Sequence, residues 1–302
     1  MKELVSVVLC TYNGAKFIDE QVKTIREQTY ANLEIIIVDD ASTDESFEKL
    51  KQHAAADARI RLFQNENNLG FNLNFNKACS MATGSFIAIA DQDDVWEPHK
   101  IEILANEIKK NESTMMVHSI SARFEENKDP YIKSIGLVNF FEGSDLRKLF
   151  LFNTISGHNM LIRKKLLDAA MPFPKNIYYD WWLAMIACKL GAIRHIPTIL
   201  VWHRMHESNI TGAAKPIIPF YKQVQSNLHP FLQKLDLNGN EKRFGEKLLK
   251  HYQRLENQKF SLPLFFFLLK NSKILFAHKK RKLPAIAYLK NAVKYARQKT
   301  KA

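Results

Sequence analysis

At 302 residues the chain can build one large domain or two, and its 46% hydrophobic and 25% charged composition excludes a disordered or fibrous class. Cys10, Cys79 and Cys188 are odd in number, far apart and free of any CxxC, which excludes a disulfide scaffold and a zinc finger and fits a reducing compartment. The net charge of +13 sits at one end: residues 241–302 hold 17 Lys and Arg against 3 Asp and Glu, the rest 27 against 28. A near-neutral body with a basic tail points to an anionic surface, membrane or nucleic acid. The N-terminus has no signal-peptide pattern, and no apolar run reaches the ~18 residues of a membrane span. The longest run, Leu262 to Leu269, holds Pro263 and ends at Lys270. A cytoplasmic protein is expected.

In chain order, Leu4 to Cys10 is apolar and β-branched, as in a parallel strand buried on both faces. Thr11-Tyr12-Asn13-Gly14 breaks it, and a helix follows over Ala15 to Gln28. Leu33 to Val38 reads as a second strand ending in Asp39-Asp40. Ser42 and Glu45 have the spacing of a capping box opening a helix through Leu50. Arg59 to Phe63 is a third strand, Asn65 to Gly70 a loop, and a helix runs to about Met81. Phe86 to Ala90 is a fourth strand running into Asp91-Gln92-Asp93-Asp94.

Beyond it, Pro98 to Lys110 is helical and Met115 to Ile120 a strand. Arg123 to Gly143 reads as a loop over the site, and Asp145 to Phe152 as a short helix. Thr154 to Asn159 is a turn before the strand Met160 to Arg163. Asp180-Trp181-Trp182 opens a helix to Lys189, stopped by Gly191. Ala192 to Trp202 is extended, and Asn209 to Lys215 is a polar linker. After Pro216 the pattern is helical. Ile286, Leu289, Val293 and Ala296 form an apolar stripe beside Lys290, Lys294, Arg297 and Lys301, the composition of a membrane-surface helix or of a packed helix with a basic outer face.

The β-α-β-α-β-α-β order predicts a mostly parallel sheet covered on both faces, with ligands beyond the carboxyl ends of its strands. Three polar clusters follow strand ends: Thr11 to Asn13, Asp39-Asp40 and Asp91 to Asp94. They should converge on one crevice. Three carboxylates in four residues need a counter-charge, and a hard divalent cation such as Mg²⁺ or Mn²⁺ supplies one. The alternative is a solvated acidic turn. The chain has neither GxGxxG nor GxxxxGK[ST].

With those residues assembled, the chain resembles the family 2 inverting glycosyltransferases of GT-A fold. The resemblance covers about Val5 to Gly212 and rests on VSVVLCTYNG, IIIVDDASTD, ENNLGFNLNF and ADQDDVW, then SGHNML, YYDWWL and HRMHESNITG. The DQDDVW form is similar to the rhamnosyltransferase-like branch of bacterial surface-polysaccharide transferases. The resemblance implies a GT-A α/β domain, with residues 1–97 its nucleotide-sugar half and 98–215 its acceptor half, and a basic helical extension over 216–302. It implies a UDP- or dTDP-sugar donor, with Thr11, Tyr12, Asn13, Asp40, Asn68, Asn74, Asp91 and Gln92 in its pocket. Asp40 would accept from the base imide and Asp91 would hold the ribose. It assigns Mg²⁺ or Mn²⁺ to Asp93, with His206 or His203 completing the shell. Asp180 is the implied catalytic base, and Gly157, His158, Asn159, Trp181 and Trp182 face the acceptor.

Each assignment has a structural alternative: a turn cap for Asp40, a helix N-cap for Asp180, a plain turn for Gly157 to Asn159, and core packing for the tryptophans. Rival functions are a nucleotidyltransferase, for which CTYNGAKF is a poor loop, a nucleic-acid binder, and an inactive nucleotide-sugar binder. The neutral body speaks against nucleic acid. The basic tail is read as docking on anionic membrane, where a lipid-linked glycan acceptor would be presented, on the inner face of the cell membrane.

Overall fold

The computed structural model describes residues 2–126, 132–207, 218–280 and 282–298. The chain forms two compact units. One comprises Met1–Ile135, Phe141–Ser144 and Ile155–Glu207; the other comprises Gly136–Phe140, Asp145–Thr154 and Ser208–Ala302. The segments 136–140 and 145–154 thus group with the C-terminal helices, although they precede them by more than 60 residues in sequence. The linker expected over Asn209 to Lys215 lies outside the described residues, as do part of the Arg123 to Gly143 loop and Lys301.

The first unit is built on an eight-stranded sheet. Its strands are β1 (Val5–Thr11), β2 (Leu33–Asp39), β3 (Ile60–Gln64), β4 (Phe86–Ala90), β5 (Val95–Trp96), β6 (Thr114–Phe124), β7 (Met160–Arg163) and β8 (Ala192–Arg204), in the spatial order β3-β2-β1-β4-β7-β6-β8-β5. Strands β1 to β4 pair in parallel. Every residue of β1 and β4 is buried, as their unbroken apolar runs require. The helices of this unit are α1 (Ile18–Arg26), α2 (Ser46–Ala56), α3 (Phe71–Ser80), α4 (Lys100–Lys109), α5 (Lys164–Ala170) and α6 (Tyr179–Leu190). Ile18, Val22 and Ile25 of α1 and Ile101, Leu104 and Ile108 of α4 enter the core that β1, β2 and β4 share.

Parallel pairing stops at β4. Strand β7 runs antiparallel to both β4 and β6, and β8 returns parallel to β6. The two-residue β5 lies antiparallel to β8, with Val95 opposite Trp202 and Trp96 opposite Val201. The expected capping box at Ser42 and Glu45 does not form. The Ser42 hydroxyl instead donates to Asp39 Oδ1, and α2 starts later, with Glu45 at its N-cap making no side-chain cap bond.

The second unit is helical: α7 (Phe220–Lys234), α8 (Gly239–Leu255), α9 (Leu262–Lys270), α10 (Ser272–Leu275) and α11 (Pro284–Tyr295). Asn238 and Glu241 form a full capping box at the start of α8, and Ser261 caps α9. Leu228, Phe231, Leu248, Tyr252, Leu268 and Phe276 form its interior. The apolar stripe read along α11 is split: Ala296 at its end is buried, Val293 is half-buried, and Ile286 and Leu289 lie outside. Ala292 and Tyr295 are buried as well. Tyr295 packs its ring against Phe220 and Phe276 and so sets which side of the helix is covered.

Candidate active site

The β5–β8 ladder builds the acidic end of the site. Because 95 opposes 202, Asp94 comes opposite His203 and Asp93 opposite Arg204. His203 Nδ1 lies 2.8 Å from Asp94 Oδ1, and Arg204 Nε donates to the Asp93 carbonyl at 3.2 Å. The strand then brings His206 Nε2 to 2.8 Å from Asp93 Oδ2. Arg204 is buried, stacked over Phe17 and Phe124, and paired with Glu20 and Glu126. It was not singled out from sequence, yet its planar fork clamps the backbone of the motif.

The turn Gly157–Asn159 is the second organising piece. His158 Nδ1 is 3.0 Å from Asp91 Oδ2 and 3.4 Å from Asp94 Oδ2, while Nε2 is 2.8 Å from Ser121 Oγ. Burial alone would lower its pKa, but the Asp94 and Asp91 carboxylates lift it to about 9. The imidazolium donates from both nitrogens. The His158 carbonyl accepts from buried Lys100 at 2.6 Å, and the Lys100 Nζ lies 3.0 Å from the centroid of the Trp96 ring. Burial pushes the Lys100 pKa well below the usual lysine range. Asn159 Nδ2 donates to the Ser119 carbonyl. His158 and Asn159 are therefore buried braces within the turn, the plainer of the two readings offered for Gly157 to Asn159. Trp182 is also internal: it is buried, and its indole N–H donates to the Ala170 carbonyl. Trp181 is half-buried and keeps a solvent-facing part.

Asp180 lies in the first turn of α6, whose N-cap is Tyr178. Its Oδ1 accepts the Trp181 N–H, and its carboxylate also accepts the Gly157 N–H. Burial raises its pKa to about 7, and the nearby Asp91 carboxylate adds to the rise. A carboxylate with that pKa is poised to take a proton at neutral pH. The position of Gly157 is sterically exclusive, since a Cβ there would lie 2.0 Å from Tyr179 Oη. One short turn thus holds Asp180 by a backbone N–H and Asp91 and Asp94 by a side chain.

At the ends of β1 and β2 the polar loops interlock. Gln92 Oε1 accepts from Thr11 Oγ1 and the Tyr12 N–H, and its amide donates back to the Tyr12 carbonyl. Gly14 permits this approach, since a Cβ there would meet Gln92 Oε1 at 2.6 Å. Asn13, at φ 50°, accepts from the Thr43 N–H. The Tyr12 ring is left 45% exposed beside this loop, an aromatic face open to a planar ligand. Asp40 is buried and accepts from Asn65 Nδ2 and from the N–H groups of Leu69 and Gly70. Asn68 accepts the Gly70 N–H, and Asn74 joins Asn65 to the Val38 carbonyl. Asp40, Asn68 and Asn74 thus brace the 65–70 loop next to the β2 end.

Two donor sets for a cation exist among the described residues. Asp94, His158 and His203 bring ligand atoms within 4.8 Å of one another. His158 in that set already has both nitrogens engaged, by Asp91 and Ser121. Asp93 and His206 form the other set, a carboxylate and an imidazole that suit Mn²⁺ or Mg²⁺. Burial, with Asp94 and Asp91 alongside, raises the Asp93 pKa, a crowding of carboxylates that a divalent ion would relieve. Asp94 Oδ2 makes no hydrogen bond, but it lies 3.4 Å from His158 Nδ1 and is answered by that imidazolium. The residues present fit the cation.

The model of glycosyl transferase family 2 matches residues 6–170. An uncharacterised glycosyltransferase of Haemophilus influenzae is 31% identical over 216 residues, 67% of this chain and 66% of that protein. The Escherichia coli protein WfgD, named as a UDP-Glc:α-D-GlcNAc-diphosphoundecaprenol β-1,3-glucosyltransferase, is 35% identical over 113 residues, 37% of this chain and 44% of that one. The match thus spans less than two-thirds of either curated relative. TarS of S. aureus, solved with UDP-GlcNAc, superposes with a TM-score of 0.65 at 19% identity over 97% of this chain and 89% of that chain. The mannosyltransferase PcManGT of Pyrobaculum calidifontis, solved with GDP-Man and Mn²⁺, gives 0.57 at 20% identity, over 96% and 79% of the two chains. These likenesses establish a GT-A-like fold.

Proposed function

The chain belongs to glycosyl transferase family 2, and from that premise we propose that it moves a sugar from a UDP- or dTDP-sugar to a hydroxyl of a glycan acceptor. The observation that carries the reading is the Gly157–His158 turn. It gives a backbone N–H to the Asp180 carboxylate and sets His158 Nδ1 3.0 Å from Asp91 Oδ2, so the base candidate and the acidic motif are held by one short turn. Thr11, Tyr12, Asn13 and Gln92 bind the base and ribose, with Tyr12 as the stacking face. Asp91 holds the ribose, and Asp40, Asn68 and Asn74 shape the loop beside it. Asp93 and His206 would hold Mg²⁺ or Mn²⁺, which would supply charge neutralisation for the departing diphosphate.

Asp180 takes the acceptor hydroxyl proton as that oxygen attacks the anomeric carbon. The bond from that carbon to the diphosphate oxygen breaks on the opposite face, and its electron pair leaves with the diphosphate. One displacement inverts the anomeric centre without a covalent sugar–enzyme species. Trp181 offers an apolar edge to the acceptor. WfgD acts on a diphosphoundecaprenol-linked sugar by its name, and we carry that class over: a lipid-linked glycan in surface-polysaccharide synthesis, in the rhamnosyltransferase-like branch. The enzyme then works peripherally at the inner face of the cell membrane, held by its basic C-terminal region. No helix among the described residues is long and apolar enough to cross a membrane.

A thermal-shift panel of UDP-, dTDP- and GDP-sugars, each with and without Mn²⁺, tests the reading. A UDP- or dTDP-sugar at a hundred times its Kd should add about 2.7 kcal/mol of stability. A panel in which no nucleotide-sugar moves Tm refutes it.

A further inference from the structure

The C-terminal unit concentrates positive charge and bare apolar surface on the same helices. Residues 257–302 hold 12 Lys and Arg and not one Asp or Glu. On α11 the inner side is occupied by Ala292, Tyr295 and Ala296, all buried. On its outer side Ile286 and Leu289 are 50% and 47% exposed, and Leu283 at its N-cap is 66% exposed. At 100° per residue, Ile286, Leu289 and Val293 fall within an arc of about 60°, and Lys290 and Arg297 adjoin it within a further ~40°. Lys290, Lys294 and Arg297 are exposed there. The neighbouring α9 repeats the pattern: Leu264 and Leu268 are buried, while Leu262 and Phe266, one turn apart, are 57% and 58% exposed. Its N-terminus is tied to the end of α11 by the Ser261 N–H to Ala296 carbonyl bond.

Scattered exposed leucines need no explanation. Five large apolar side chains on two joined helices, in a segment without acidic residues, do. A water-facing helix would place its bases here alone, and an ordinary protein partner would call for charges of both signs. Apolar side chains ringed by Lys and Arg, whose long stems reach outward, match the boundary of an anionic bilayer.

We propose that the outer faces of α9 and α11 insert into the headgroup region of an anionic membrane, with Leu262, Phe266, Leu283, Ile286 and Leu289 entering the acyl boundary and Lys290, Lys294 and Arg297 engaging lipid phosphates. This rests on the membrane-associated reading above and adds to it a specific inserting surface. Charge alone holds a protein near a bilayer in a salt-sensitive way. Apolar insertion persists when salt screens the charges.

The test uses the full chain and vesicles of phosphatidylcholine with and without phosphatidylglycerol, by cosedimentation at low and high NaCl. Three variants accompany wild type: Leu262→Ser/Phe266→Ser, Ile286→Ser/Leu289→Ser, and Lys290→Gln/Lys294→Gln/Arg297→Gln. All positions are exposed, and unchanged Tm verifies that each variant folds. Wild type should bind anionic vesicles and retain part of that binding at high salt. Each apolar pair should weaken binding about tenfold or more, and what remains should vanish with salt. The charge variant should bind weakly at low salt and lose its preference for phosphatidylglycerol. If the apolar variants bind as wild type does, the inserting surface is wrong while charge-driven association stands. If wild type ignores anionic vesicles, both ideas fall. If light scattering finds a dimer that the apolar variants dissociate, with vesicle binding unchanged, a second copy covers this face and the proposal is overturned.

Discussion

Replacing Asp180 by Asn should remove transfer and yet stabilise the fold above neutral pH. Burial moves this carboxyl from 3.8 to about 7. Between those values the folded state holds a proton that the unfolded state releases, so stability falls as pH rises through the window and stays lower above it. At 1.36 kcal/mol per pH unit the ceiling of that loss is about 4 kcal/mol. Asn keeps one oxygen for the Trp181 or Gly157 N–H and leaves the other N–H without its acceptor, a loss of about 1–3 kcal/mol. The expected net gain for Asp180→Asn at pH 8 is therefore about 1–3 kcal/mol, a few degrees of Tm for a chain of this size. It should disappear near pH 4, where the wild-type carboxyl is protonated in the fold. Transfer should drop by about 10²–10⁴, with donor binding kept, and wild-type kcat/KM should fall as pH drops below about 7. Calorimetric melts at pH 4, 6 and 8 beside a nucleotide-release assay decide it. A variant less stable than wild type at pH 8, or a stability difference flat with pH, refutes the reasoning.

Gly157→Ala forces a Cβ against Tyr179 Oη and should cost about 1–3 kcal/mol; adding Tyr179→Phe should restore part of the Tm. His158→Gln removes an imidazolium between two carboxylates, and breaking such a buried pair costs about 3–5 kcal/mol. Because the His158 pKa rises from 6.5 to about 9, its stabilisation is complete below pH 6.5 and lost toward pH 9, so the gap between wild type and His158→Gln should narrow over that range in urea titrations. Arg204→Lys loses the planar fork over the Asp93 carbonyl, Glu20 and Glu126; turnover should fall more than donor affinity, as steady-state kinetics against donor titration will report.

The parallel half of the sheet was legible because strands buried on both faces write continuous apolar runs. Phe86–Ala90 and Met160–Arg163 matched residue for residue. Strand β5 was not legible. Two residues carry no period, and its pairing with β8 is a contact across more than 100 positions. That same ladder decides which histidine meets which aspartate, so HRMH alone left His203 and His206 interchangeable, whereas the register places His203 on Asp94 and His206 on Asp93. Lys100 does not stand out in the sequence, because nothing in its neighbours announces that its end of α4 is enclosed. Gly157 to Asn159 left an acceptor face and a plain turn as alternatives, because a small polar turn looks the same in sequence whether its side chains meet solvent or buried carboxylates. The α11 stripe left two readings open, a membrane-surface helix or a packed one, and its period alone could not choose the covered side, which is set by the packing of Tyr295 on Phe220 and Phe276.

The central claim is that the ends of β1, β2 and β4 bind a nucleotide diphosphate through Tyr12 and an Asp93-held cation. Calorimetric titration of UDP into wild type, Tyr12→Ala and Asp93→Asn, each with Mn²⁺ and then with EDTA, tests it most directly. The account predicts Mn²⁺-dependent binding by wild type, at least about tenfold weaker binding by Tyr12→Ala from lost base stacking, and no Mn²⁺ dependence in Asp93→Asn. Equal UDP affinity in all three proteins, unchanged by EDTA, contradicts it.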